Sequence, residues 1–394
     1  MEKKKIKVLR IINRFNLGGP TYNATFLSKF LSDDFETLLV GGLHEADEID
    51  SLHITAKYGV TPRFIKSLKR TPNPIDDYKA YKEIKKIIKE FKPDIVHTHA
   101  AKAGAVGRKA AFSCKVPVVV HTFHGHVFHS YFSAWKTKLY KGIERRLAKK
   151  SSGIIAISDQ QKVELSEIHT ICTPEKIKVI PLGFDLAPFF ENKAEKRVEV
   201  RQQYDLQDDV VAIAIIGRLV PIKDHAFFLS VVGKVASKTQ QKIRFYIVGD
   251  GSEREKIASE VEVLNAVFGE IIVMTSWITD IYRFNAGMDI ICLTSKNEGT
   301  PVSLIEAQAS GVPIITTDVG GVKDIVLDGE TGYIVEKNNM DLFAEKMLDL
   351  IENKKNREKM SQNGWTHVRE KYHYDRLVKD MEEYYKELLK NNTI

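Results

Sequence analysis

Two glutamates flank a predicted helix start in the second half of the chain. Glu298 and Glu306 are separated by seven residues. Thr300 can cap a helix there, and Pro301 fits its first turn because its missing N–H is not needed at that position. The free N–H groups of such a helix start suit phosphate, and carboxylates accept hydrogen bonds from sugar hydroxyls. The spacing predicts a site that holds sugars on either side of a diphosphate, with an ordinary surface glutamate and a helix-face glutamate as the alternative.

Two cations follow another predicted strand. The apolar run Val210–Ile216 leads into a loop that contains Gly217, Arg218 and Lys223. Two cations at the end of a strand are well suited to neutralise a diphosphate leaving group. The alternative is a pair of solvent-exposed side chains.

Glycines and histidines follow predicted strands in the first half. The strand Lys7–Ile12 runs into a loop with Gly18 and Gly19, but no full Gly-x-Gly-x-x-Gly is present, so an ordinary turn would explain this pair equally well. Ligands bind at strand ends in open α/β sheets, and histidines cluster at two of these ends. A zinc site is disfavoured because no cysteine or carboxylate lies close in sequence. The histidines are His97, His99, His121, His124 and His126.

These motifs resemble those of the family 4 retaining glycosyltransferases. The Glu-x7-Glu element of that family matches residues 298–313, and its Gly-Arg-Leu-x-x-x-Lys matches residues 217–223. The matching positions of the first element are Gly299, Pro301, Glu306, Ala307, Gly311 and Pro313. The resemblance covers most of the chain and is stronger in the second half.

The resemblance implies a role for each matching residue. Glu298 would contact the transferred sugar, Glu306 the ribose, and Arg218 and Lys223 the diphosphate. The donor phosphates would also meet the backbone of Gly299, Thr300, Pro301 and Val302. Gly18 and Gly19 would lie over the diphosphate, Trp277 and Ile278 would lie near the base, and His124 would stand at the acceptor side near the anomeric carbon.

The alternation of apolar runs and helical segments predicts two α/β domains with parallel sheets. The resemblance implies that these are Rossmann-like domains facing each other across a cleft, the GT-B arrangement. The expected boundaries are an acceptor-binding domain at residues 1–185, a donor-binding domain at residues 186–373 and a C-terminal helix at residues 374–394 that packs back on the first domain.

The implied activity is a retaining transfer of a sugar from a nucleotide-sugar donor, with UDP as the expected nucleotide. The implied acceptor is a glycan or a polyprenyl-lipid-linked molecule of cell-surface polysaccharide biosynthesis. No cofactor is expected, and no metal is implied because the sequence contains no Asp-x-Asp. Two rival activities share the architecture: a nucleotide-sugar 2-epimerase and a non-catalytic nucleotide-sugar-binding module. A dinucleotide oxidoreductase is disfavoured because its fingerprint loop is absent.

The formal net charge of +7 favours a polyanionic partner. Val127–Lys150 holds seven basic residues, one acid and five aromatic residues, a composition typical of a segment at an anionic membrane surface. A second basic run, Arg63–Lys92, is equally well explained as a solvated helix face. No nucleic-acid motif accompanies the charge, and no oligomeric state is predicted.

The location expected from the sequence is cytoplasmic, with peripheral attachment to the inner membrane face. No apolar stretch approaches the roughly 18–20 residues that a bilayer-spanning helix needs. The three cysteines are far apart, which predicts neither a disulfide framework nor a zinc cluster and favours a reducing compartment.

Overall fold

The protein consists of two compact α/β units. A computed structural model describes residues 4–16, 19–45, 50–69, 71, 73–124 and 134–392. Unit 1 comprises Met1–Phe184 together with Tyr372–Ile394, and unit 2 comprises Asp185–Lys371. The chain therefore leaves the first unit once and returns to it for its last helix.

Unit 1 is built on a seven-stranded parallel sheet of order β3-β2-β1-β4-β5-β6-β7. Its strands are β1 Ile6–Arg14, β2 Phe35–Gly42, β3 Arg63–Phe64, β4 Ile95–His99, β5 Val118–Thr122, β6 Gly153–Ala156 and β7 Ile177–Val179. Its helices before the crossing are α1 Gly19–Lys29, α2 Leu52–Lys57, α3 Pro74–Phe91, α4 Ala101–Ser113, α5 Ala134–Lys150 and α6 Asp159–Val163. The central strands β4 and β5 are buried throughout, as expected for a parallel sheet covered on both faces, but each begins with apolar residues and ends in buried histidine and threonine.

Unit 2 repeats the plan with a six-stranded parallel sheet of order β10-β9-β8-β11-β12-β13. Its strands are β8 Val210–Ile216, β9 Lys242–Val248, β10 Ile272–Thr275, β11 Ile290–Leu293, β12 Ile314–Thr317 and β13 Gly332–Val335. Its helices are α7 Ala187–Phe190, α8 Lys193–Gln203, α9 His225–Ala236, α10 Arg254–Phe268, α11 Ile281–Gly287, α12 Val302–Ala309, α13 Met340–Glu352 and α14 Lys354–Tyr372. In both sheets the strand order reverses beside the first strand of the unit, and open α/β sheets bind ligands at such a point.

The last helix, α15 (Tyr374–Asn391), completes unit 1. It is amphipathic, and its apolar face packs in one core cluster with Val8, Ile95 and Val118 of the sheet. Gly153 makes room for it, because a Cβ there would lie only 2.0 Å from the Tyr384 hydroxyl. The prediction of two Rossmann-like domains with a C-terminal helix on the first is confirmed.

Candidate functional site

The Glu298 carboxylate is held by two donors in unit 2. Lys223 Nζ lies 2.5 Å from Glu298 Oε1, and Ser295 Oγ donates to the same oxygen at 2.6 Å. Both charged side chains are largely buried, with 19% exposure for Lys223 and 12% for Glu298. The loop after β8 and the loop after β11 thus meet at one carboxylate oxygen, although 75 residues separate the two charged partners.

Two glycines support the backbone of this loop from the end of β12. Gly320 has a φ of +51°, and a Cβ there would lie 1.8 Å from the Glu298 carbonyl oxygen. A Cβ at Gly321 would lie 2.0 Å from the Gly299 carbonyl oxygen, and the Gly321 N–H donates to the Glu298 carbonyl. Sequence reasoning missed this support, although a Gly-Gly pair at the carboxyl end of a strand was the signal that could have revealed it.

The helix that follows, α12, begins one residue later than predicted. Pro301 is its N-cap with an extended ψ of 94°, and no side chain caps the helix. The prediction that Thr300 caps it was wrong, because the extended proline places Thr300 one position outside the cap. The predicted end is correct, since Gly311 adopts a φ of +62° just after the helix. The start of α12 therefore has no side-chain cap for its first N–H groups, which suits an anion.

Glu306 lies half-buried on α12. No hydrogen bond or ion pair joins its carboxylate to another of the described residues. Burial raises its pKa to about 7. An acceptor that is poorly solvated and unpartnered in this way is suited to bind the hydroxyls of a ligand.

Arg218 and Lys223 lie on the loop between β8 and α9, but they differ in their surroundings. The loop is fixed where the buried Leu219 donates its N–H to the Asp250 carbonyl, at 2.9 Å. Arg218 is exposed, and its guanidinium makes no hydrogen bond or ion pair with another described residue. One cation is therefore already paired with Glu298, whereas the other is available to an anion from solution.

The predicted base contacts lie after β10. Trp277 is 51% exposed, and its ring lies near Gly249 on the neighbouring loop. Ile278 is half-buried beside it. The exposed ring of Trp277 after the end of β10 is thus accessible to a ligand.

The predicted residues of unit 1 are described in part. Gly18 lies outside the described residues, as do residues 125–133, which include His126. Gly19 is the first residue of α1, and a Cβ there would meet Leu182 at 3.4 Å. His124 follows β5 and is described with the other histidines below.

Arg10, His97 and Tyr385 form a buried polar cluster in unit 1. Arg10 Nη1 donates to His97 Nδ1 at 3.0 Å and to the Tyr385 hydroxyl at 2.9 Å. An arginine only donates, so His97 Nδ1 is an acceptor and Nε2 carries the proton toward Thr122 Oγ1, at 2.7 Å. Burial, together with the Arg10 charge, lowers the pKa of His97 well below its ordinary value. Arg10 of β1 therefore fixes the tautomer of His97 on β4, and Tyr385 of the C-terminal helix contacts both side chains.

His99 and His124 form a pair of neighbouring histidines. His99 Nδ1 and His124 Nε2 lie 2.8 Å apart, and the described residues offer no hydrogen-bond partner to His99 Nε2 or His124 Nδ1. Burial lowers the pKa of His124 to about 4 and that of His99 well below its ordinary value. Both rings are thus neutral near pH 7, and one proton is shared between the two facing nitrogens. Within the described parts of the chain, no three His, Cys, Asp or Glu side chains are grouped to hold a metal ion.

Helix α5 carries an outward face of cations and large apolar side chains. Trp135 is 66% exposed and Leu139 is 54% exposed. Glu144, the one acid of the predicted membrane segment, is buried and pairs with Arg108 of α4 at 2.5 Å. Residues 127–133 of that segment are outside the described residues. In the described ranges, no helix is both long and apolar enough to cross a bilayer.

Comparison with known protein families gives two matches that together span most of the chain. Residues 27–188 match the model of "Glycosyltransferase Family 4", and residues 196–367 match that of "Glycosyl transferases group 1". The first match lies in unit 1 except for its last four residues, and the second lies in unit 2. Lys223, Glu298 and His124 are inside the matched segments, whereas Gly18 and Gly19 precede the first one.

Two curated proteins and one solved structure illustrate the similarity. UDP-Gal:alpha-D-GlcNAc-diphosphoundecaprenol alpha-1,3-galactosyltransferase of Escherichia coli is 30% identical over 74% of this chain and 75% of its own. Capsular polysaccharide biosynthesis glycosyltransferase CapM of Staphylococcus aureus is 28% identical over 82% of this chain and 85% of its own. The structure of Anabaena Alr3699/HepE in complex with UDP covers 97% of this chain and 100% of that protein, with a TM-score of 0.81 and 18% identity. At that identity the structural likeness shows a shared fold and nothing beyond it.

Proposed function

The chain belongs to the family 4 glycosyltransferases of GT-B fold, and from this premise we propose that it transfers a sugar from a UDP-sugar to a lipid-linked or glycan acceptor with retention of configuration. The observation that carries the proposal is the meeting of Lys223, Glu298 and the uncapped start of α12 in unit 2. UDP enters the proposal because the related galactosyltransferase uses a UDP-sugar and a shared fold has been solved with UDP.

The donor is proposed to bind by its diphosphate first. Arg218 is an unpaired, exposed guanidinium, and the first N–H groups of α12 have no side-chain cap. Together with Lys223 they supply positive charge where a diphosphate departs, so the proposed transfer needs no divalent metal. Glu306 would accept the ribose hydroxyls, and Trp277 with Ile278 would border the base. Gly18 and Gly19 are proposed to contribute to diphosphate binding, as their match to the family's Gly-Gly loop implies.

Glu298 of unit 2 is proposed to bind the transferred sugar, and His124 of unit 1 is proposed to bind the acceptor. Glu298 keeps one carboxylate oxygen without a partner among the described residues, and this oxygen would bind the transferred sugar. His124 is neutral, because burial lowers its pKa to about 4, so it would contribute a hydrogen bond rather than a charge. We propose no side-chain nucleophile: the departing diphosphate would take the acceptor proton as the bond from the acceptor oxygen to the sugar forms and the bond from the sugar to the diphosphate breaks.

The acceptor is proposed to reach the enzyme at an anionic membrane surface through Val127–Lys150, on the cytoplasmic side. Trp135, Lys138 and Leu139 lie three and four residues apart on α5 and so share one face. Because Glu144 is turned inward to Arg108, it does not offset the basic residues on that face. Each basic residue near an anionic surface contributes about 1 kcal/mol, and inserted aromatic side chains add to that.

The central test is a donor screen with the purified full chain. UDP-sugars and GDP-sugars would be offered with a polyprenyl-diphosphate-linked sugar, nucleotide release measured, and the lipid product identified by mass spectrometry. We expect UDP release only when acceptor is present, and NMR of the product should show the anomeric configuration of the donor. An inverted product would refute retention. Conversion of the donor into an epimer without acceptor would identify a 2-epimerase, and UDP binding without any conversion would identify a binding module.

Membrane binding is tested separately by vesicle sedimentation. Binding to anionic vesicles should weaken with rising salt without vanishing, because salt screens charge but not aromatic insertion. Trp135→Ala and a charge reversal of Lys138 and Lys141 should each reduce binding. A charge reversal of Lys82 and Lys86 on α3 is the matched control. If only the control variant lost binding, the surface would be α3 and the assignment to Val127–Lys150 would be wrong.

A further inference from the structure

Ser295 is a buried serine whose hydroxyl points to the site carboxylate. Ser295 is fully buried two residues after the end of β11, and its Oγ donates to Glu298 Oε1 at 2.6 Å. The backbone of Ser295 is itself fixed, because Thr317 Oγ1 at the end of β12 donates to the Ser295 carbonyl at 2.8 Å. The residues that follow β11 and end β12 therefore fix the position of the hydroxyl group that donates to Glu298.

The Glu298 carboxylate uses one oxygen for both of its contacts. Lys223 Nζ and Ser295 Oγ both approach Oε1, at 2.5 Å and 2.6 Å. Oε2 has no hydrogen-bond or ion-pair partner among the described residues. If the ammonium of Lys223 turns toward a diphosphate, the hydroxyl of Ser295 is the bond that keeps the carboxylate in its orientation.

We propose that Ser295 is a positioning residue that orients Glu298 and leaves its Oε2 for the hydroxyls of the transferred sugar, so that it contributes to the choice of sugar. This inference rests on the proposed function of the donor site. A glutamate has three rotatable side-chain bonds, and fixing them before the substrate arrives reduces the entropy lost on binding. A polar group held in one orientation also rejects a sugar whose hydroxyl lies elsewhere, because that mismatch leaves buried groups unpaired.

The chain offers a matched control for this serine. Ser310 at the end of α12 is also fully buried, and its Oγ has no hydrogen-bond partner. Ser310→Ala removes a buried hydroxyl from the same region without removing a contact to Glu298. Ser295→Thr keeps the hydroxyl donor, whereas Ser295→Cys keeps the volume but supplies a much weaker donor.

The experiment compares these variants as full chains in two assays. Calorimetry measures the affinity for UDP alone, and steady-state kinetics measures kcat/KM for the accepted UDP-sugar and for its epimer at one hydroxyl. For Ser295→Ala and Ser295→Cys we expect kcat/KM for the accepted sugar to fall about tenfold or more, as for a lost hydrogen bond to a charged group, and the preference over the epimer to shrink. The UDP affinity should stay within about twofold of the wild type, because UDP does not reach Oε2. Ser310→Ala should behave as wild type, and Ser295→Thr, which keeps the hydroxyl donor but adds a methyl group, should retain more of the sugar preference than Ser295→Cys.

Three other results would contradict the positioning role of Ser295, and a fourth would contradict the proposed function. An unchanged sugar preference in Ser295→Cys would overturn the positioning role, and so would an equal loss of UDP affinity, which would mean that Ser295 merely supports the loop. An additional loss on combining Ser295→Cys with Glu298→Ala would show that the serine does not act through Glu298. Failure of the wild type to bind UDP at all would instead count against the proposed function.

Discussion

Replacing Glu306 by glutamine should stabilise unit 2 in alkaline solution and much less in acid. Burial raises the pKa of Glu306 to about 7 from an ordinary value of 4.5. A carboxyl group whose pKa is raised by folding destabilises the folded protein once it is ionised. The resulting loss of unfolding free energy is absent below pH 4.5, grows as the pH rises to 7 and then levels off. At about 1.4 kcal/mol per pKa unit, the full cost is roughly 3 kcal/mol, and it is about 2 to 3 kcal/mol larger at pH 8 than at pH 5.

The measurement is the urea unfolding of unit 2 at pH 5 and pH 8, without ligand. A Trp135→Phe background leaves Trp277 and Trp365, both in unit 2, as the fluorescent residues. Glu306→Gln should gain roughly 2 to 3 kcal/mol more at pH 8 than at pH 5, because a neutral amide has no ionisation cost.

The control for this prediction is Glu345→Gln on α13. Its side chain is 71% exposed, so it should show no such pH dependence. An equal gain at both pH values, or a larger gain at pH 5, would refute the reasoning. The same ionisation should make the affinity for UDP rise more between pH 6 and pH 8 in the wild type than in Glu306→Gln, since the ionised carboxylate is the better acceptor for ribose hydroxyls and the ionisation of UDP itself is common to both proteins.

Four further outcomes are expected. Arg218→Ala should fold normally and lose about 10²- to 10³-fold in turnover, as when a lost group stabilises developing charge; normal turnover of the folded variant would remove Arg218 from the diphosphate site. EDTA should leave activity unchanged, and loss that magnesium or manganese restores would contradict metal independence. Gly320→Ala should reduce turnover while unit 2 still unfolds cooperatively, because a Cβ there displaces the Glu298 carbonyl; full activity would show that the loop tolerates the shift. In a background with Trp277→Phe and Trp365→Phe, Tyr385→Phe should destabilise unit 1 by about 1–3 kcal/mol, measured by urea unfolding followed by Trp135 fluorescence, because buried Arg10 and His97 lose a partner; unchanged stability would mean that their contacts rearrange.

Local signals in the sequence were enough to predict the strand, loop and helix that carry the two glutamates. A short apolar run predicted β11, and Gly311 marked the end of α12 because it takes a left-handed conformation that other residues rarely adopt. The cap at Thr300 was predicted wrongly for a local reason as well. A proline can be either the first helical residue or the N-cap, and the neighbouring residues do not determine the ψ angle of Pro301 that decides between the two.

Contacts between distant parts of the chain could not be predicted from these signals. Lys223 and Glu298 were each expected near the diphosphate, but nothing in their spacing indicated that they share an oxygen with Ser295. The raised pKa of Glu306 depends on burial, which is a property of the packed unit. The roles predicted for the site residues stay predictions, which the donor screen and the substitutions above test.

The return of α15 to unit 1 also sets an order of events during synthesis. Arg10 and Tyr385 are 375 residues apart, and the whole of unit 2 is made between them. At about 5–20 residues per second, the ribosome completes unit 2 many seconds after the sheet of unit 1 has emerged. During that time the apolar surface around Val8, Ile95 and Val118 lacks the helix that covers it. We expect unit 2 to reach its native fold first, and a chain that ends before Tyr374 to expose that surface and aggregate.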